Sequence, residues 1–81
     1  MRTMLRKLFG HPSVSIGRER SLEIARAECE RRGWQWQEPV IVRERLRRIV
    51  VWTNANFRGN NAVIKLDAFD GRVLSAFITP R

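Results

Sequence analysis

Ala62-Val63-Ile64-Lys65-Leu66-Asp67-Ala68-Phe69-Asp70-Gly71-Arg72-Val73-Leu74 is the stretch on which the fold turns. Ala62, Ile64, Leu66 and Ala68 alternate with Val63, Lys65, Asp67 and Phe69, the period of two that sends one set of side chains to each face of a strand. Asp70-Gly71 then predicts a hairpin, because glycine accepts positive φ without steric cost. Val73 to Thr79 reads as the returning strand, and Pro80 ends it. Asp67 and Asp70, three apart at this hairpin, are expected to bond backbone N–H groups and shape the turn.

Working toward the N-terminus, Asn54 to Asn61 is a polar loop with Gly59 and several asparagines, read as turn chemistry. Val40 to Arg45 and Arg48 to Asn54 are β-branched runs joined by a turn near Leu46-Arg47. Trp34 and Trp36 alternate with glutamines before Pro39, which marks an edge or the start of the strands. Arg18 to Arg32 is the strongest helical segment. Gly17 or Ser15 can cap it, Glu19 suits the positive helix start, Arg31 and Arg32 suit its negative end, and Gly33 stops it. Leu22, Ala25, Cys29 and Arg32 share one stripe, widened by Ser21, Ile24 and Glu28.

The expected fold is α+β: one N-terminal helix packed on one face of a four-stranded antiparallel meander sheet. With the turn at Leu46-Arg47, Val40, Val42, Glu44, Ile49, Val51 and Thr53 face the helix. Ala62, Ile64, Leu66, Leu74, Ala76 and Ile78 join them. The opposite face then carries Ile41, Arg43, Arg45, Arg48, Val50, Trp52, Val63, Lys65, Val73 and Phe77. It is too apolar for idle surface and too cationic for a core. Ile41, Arg43, Arg45, Val50, Trp52, Val63, Lys65 and Phe77 are the candidate partner-binding residues.

The chain has 81 residues, enough for one compact domain. Residues 16–81 are assigned to that domain. Residues 1–15 form a basic segment in which Met1, Met4, Leu5, Leu8 and Phe9 fall at helical spacing, followed by a linker. The formal net charge is +8, with fourteen arginines and two lysines against eight acidic residues. Such a field favours an anionic partner, nucleic acid among them.

Cys29 is the only cysteine and His11 the only histidine, so an intramolecular disulfide and zinc sites built on several cysteines are excluded. Cys29 on the buried stripe reads as a small core hydrophobe. With no glycine-rich phosphate loop and no nucleophile–base pair, neither cofactor nor catalysis is expected. The longest apolar runs fall far short of a membrane helix, and the N-terminus has no apolar signal region. A cytoplasmic location is expected.

Ile16-x5-Leu22-x2-Ala25 leading to Gly33, then Val63-x-Lys65-x-Asp67-x2-Asp70-Gly71-x-Val73-Leu74, resembles the PepSY-like domains from Ile16 onward. Those domains show a helix followed by antiparallel strands with a D-x-x-[TD]-G-x-V-L ending. The resemblance implies a small non-catalytic bacterial module that binds other proteins, peptidase inhibition having been proposed for some members. Immunity proteins of polymorphic toxin systems share a similar helix-then-strands pattern. The functional expectation is binding of a protein partner, or of a second copy, through the open sheet face. The alternatives are a nucleic-acid-binding module using the same basic and aromatic residues, or an immunity protein.

Overall fold

The computed structural model describes residues 14–80, so the apolar stripe expected between Met1 and Phe9 lies outside the described residues. A helix, α1 (Gly17–Arg32), precedes strands β1 (Ile41–Arg45), β2 (Arg48–Trp52), β3 (Ala62–Asp67) and β4 (Val73–Ile78). The strands form one four-stranded antiparallel sheet in the order β1-β2-β3-β4, the expected α+β meander.

Ser15 Oγ accepts the Gly17 N–H at 3.1 Å, satisfying a donor at the helix start, and Ser21 Oγ donates to the Gly17 carbonyl at 2.6 Å. The Ile16 N–H donates to the Ala68 carbonyl at 2.8 Å, which pins that start to the end of β3. At the other end Gly33 adopts φ +75°, and the Trp34 N–H reaches the Cys29 carbonyl at 2.8 Å. Glu28 is only 8% exposed yet holds its charge, because Arg31 and then Arg32 donate to its carboxylate and keep its pKa below the usual value. Those arginines therefore neutralise a buried carboxylate as well as the helix dipole.

The core lies between α1 and one sheet face. Ala25 and Cys29 meet Ile49, Val51, Ala62, Ile64, Leu66 and Ala68, each at most 1% exposed. Val42 opposite Val51 and Glu44 opposite Ile49 follow the expected register. Burial pushes the Cys29 thiol pKa up, which suits a packing residue.

Four expectations are corrected, among them that everything after Gly33 is strand. A β-bulge at Lys65/Leu66 pairs Leu66 with Val73, so Val73 packs against the core and Leu74 is 40% exposed. Ile78 shares the helix-facing side with Ala62 but sits at the end of the edge strand β4 and is 37% exposed. β3 ends at Asp67, so Phe69 leaves the alternation and packs against the core. The segment 34–40 is not a strand. It runs back beside the helix, with the Arg32 guanidinium 5.0 Å from the Trp34 ring centre and that of Arg26 5.6 Å from the Trp36 ring centre.

Asp67 Oδ1 accepts the N–H groups of Phe69 (2.8 Å) and Asp70 (3.0 Å), and Asp70 Oδ1 accepts that of Arg72 (2.8 Å). The bonds from Asp70 and then Phe69 hold the Asp67 carboxyl below its usual pKa. The ionised form thus stabilises the fold above the unfolded-state pKa of about 4, and the contribution is lost as pH falls through the lower folded-state value. Asp67→Ala is expected to lower Tm by several degrees, and Asp67→Asn, which keeps an acceptor, by less. The gap between wild type and Asp67→Asn closes on acidification. Urea titrations between neutral pH and pH about 2 check this; a gap that persists in acid contradicts it.

Candidate interaction face

Strand alternation places three cross-strand rows on the side away from α1. The first runs Ile41–Trp52–Val63–Phe77, the second Arg43–Val50–Lys65–Ser75 and the third Arg45–Arg48–Asp67. Neighbouring strands lie about 4.8 Å apart and alternate residues along a strand about 7 Å. An apolar and aromatic row therefore borders a strip of cations. The third row's acid is committed elsewhere, since the Asp67 carboxylate accepts the turn amides.

Ile41, Arg43, Arg45, Val50 and Trp52 line one groove of about 450 Å³ over the outer hairpin. Ile41 is 41% and Trp52 37% exposed, so this rim offers apolar surface to a partner. Arg43 and Arg45 are exposed at its other end, and among the described residues neither meets a carboxylate in an ion pair. The described ion pairs all lie on α1: Arg20 with Glu23, and Arg31 and Arg32 with Glu28.

The remaining candidates divide. Lys65 and Phe77 share the face but sit away from the groove, with the Lys65 ammonium 6.0 Å from the Phe77 ring centre. Phe77 is 43% exposed. Val63, flanked across the strands by Trp52 and Phe77, is 1% exposed and offers no surface of its own.

Further hollows lie elsewhere among the described residues. A polar one of about 360 Å³ sits at the β2–β3 loop among Gln37, Asn54, Phe57, Arg58, Gly59 and Asn60. Phe57 is 66% exposed there, and nothing in the local sequence distinguishes it from an ordinary loop aromatic. Another, about 460 Å³, lies between the first turns of α1 and the approach to β1, lined in part by Leu22, Arg26 and Trp36. Among the described residues no three of His, Cys, Asp and Glu gather as metal ligands, and no helix is long and apolar enough to cross a membrane. Compared with family models, curated proteins and solved structures, the chain matches none of them.

Proposed function

We propose that this chain is a non-catalytic interaction module of PepSY-like type, acting in the bacterial cytoplasm and binding a protein partner, or a second copy, through its open sheet face. The observation that carries the reading is the groove in which half-exposed Trp52 and Ile41 stand beside exposed Arg43 and Arg45, on the face that α1 leaves uncovered. A surface tryptophan with an adjacent arginine is the composition of an interface anchor. The helix-then-meander order, with Asp67, Asp70 and Gly71 shaping the last hairpin, supports the PepSY-like assignment.

Trp52→Glu tests the reading. Because Trp52 lies outside the helix-packed core, the variant is expected to keep the wild-type circular dichroism spectrum. It should lose at least about tenfold in affinity for whatever protein the wild type captures, or become monomeric if light scattering shows the wild type to be a dimer. A monomeric wild type whose captured partners bind the variant equally well overturns the proposal.

The cationic rows favour a second reading, in which a single-stranded nucleic acid stacks a base on Trp52 while Arg43, Arg45 and Lys65 hold phosphates. It predicts affinity that falls steeply with salt and drops on Arg43→Ala or Arg45→Ala. Absence of binding to single- or double-stranded DNA or RNA at low salt removes it.

A further inference from the structure

Resting on the protein-binding reading above, we infer that the groove's occupant is an acidic, extended polypeptide segment that adds as a strand along the outer edge of β1. β1 is the terminal strand of the sheet, and among the described residues no backbone group pairs with its outer side. Ile41, Arg43, Glu44 and Arg45 are all exposed. An edge with unpaired N–H and C=O groups is a template for another strand, with main-chain bonds supplying affinity and alternate side chains supplying selectivity.

The alternate side chains on the open face are Ile41, Arg43 and Arg45, and these same residues form one wall of the groove. A strand laid antiparallel to β1 would place its own alternate side chains about 5 Å from them. The complement is an apolar residue opposite Ile41, covering Trp52 diagonally, then carboxylates opposite Arg43 and Arg45. Arg48, paired with Arg45 across the hairpin, adds to the positive field at that end.

The same charges argue against the other occupants. A second copy joined edge to edge about Arg43 would set Arg43 against Arg43 and Arg45 against Ile41, and like charges directly opposed are destabilising. A nucleic acid has no strand backbone to satisfy the edge. It would also compete with the Lys65 ammonium, 6.0 Å from the ring centre, for one face of Phe77.

The probes are a labelled Glu-Thr-Glu-Thr-Leu peptide, its Lys-Thr-Lys-Thr-Leu counterpart, a backbone-N-methylated acidic peptide and oligothymidylate. Each is followed by fluorescence anisotropy and by amide shifts of the full chain at low salt. The acidic peptide is expected to bind with shifts centred on residues 41–45 and on the Trp52 indole. N-methylation should weaken it about tenfold, and the Arg43→Glu/Arg45→Glu variant by tenfold or more. That charge-reversed variant should in turn prefer the lysine peptide, an exchange that a misfolded protein could not produce. Equal binding of both peptides by the wild type overturns the acidic requirement while leaving the face as a binding surface. Undiminished binding of the N-methylated peptide overturns strand addition. Oligothymidylate shifting these residues where no peptide does, or a dimer pairing β1 with β1, overturns the inference. Silence of residues 41–45 toward every probe also overturns it, while the Trp52→Glu measurement reports separately on the wider reading.

Discussion

Asn61→Asp is expected to leave the chain unfolded or nearly so at neutral pH and Asn61→Ala to cost on the order of 3–4 kcal/mol, the larger loss falling on the more conservative-looking change. Asn61 is 0% exposed, and its side chain joins three segments. The amide nitrogen donates to the carbonyls of Thr53 (2.8 Å), Asn54 (2.8 Å) and Phe57 (3.2 Å), while the amide oxygen accepts the Thr79 hydroxyl at 2.8 Å. Thr79 Oγ1 in turn accepts the Asn61 N–H at 2.9 Å, so the end of β4 is tied to the loop between β2 and β3.

Alanine removes those bonds and strands buried acceptors, each at a cost of roughly 1 kcal/mol or more. Aspartate is worse because its carboxylate would face three carbonyl oxygens with no proton to offer. Burial among acceptors raises that aspartate's folded-state pKa, so acidification should return part of the lost stability. Thermal melts of the wild type and both variants from pH 7 downward check the ranking. If Asn61→Asp is as stable as Asn61→Ala at neutral pH, this account of the loop is wrong.

The second large effect separates the two sheet faces by a single chemical change. Ile64→Ala is expected to cost about 3–4 kcal/mol, and Ile41→Ala about 1 kcal/mol. Ile64 is 0% exposed, paired between Val51 and Ala76 and packed in the layer under α1. Truncating it leaves a cavity walled by the helix and three strands. Ile41 is 41% exposed at the edge of the open face, so its removal takes away surface that is already partly hydrated. For a domain of this size the difference corresponds to about 15–25 °C in Tm against about 5 °C. Similar losses at both positions would mean that the open face is covered in solution. Light scattering would then show whether a second copy covers it.

The last hairpin was legible in the sequence because its determinants are local. Gly71 adopts φ +77°, as Asp-Gly between two apolar strands requires. The same glycine also has a tertiary role that no pattern discloses: a Cβ there would lie 2.8 Å from the Ile24 side chain of α1. The facing of Trp52 followed from counting back from the Leu46-Arg47 turn, since alternation fixes every side chain once one register is known. That counting brought Ile41, Arg43, Arg45, Val50 and Trp52 into one groove. It could not show that Val63, in the same row, is buried.

By itself the sequence determined the elements, their order and the faces of β1 to β3, because periodicity and turn chemistry act over a few residues. Only the tertiary structure decided that Val73 packs against the core while Leu74 is left exposed, since a bulge depends on how two strands meet. It also decided that Trp34 and Trp36 pack beside the helix under arginines, and that Asn61 ties together segments far apart in the chain. Each of these depends on which distant atoms arrive within bonding distance, a property of the packed chain that no short window of residues carries.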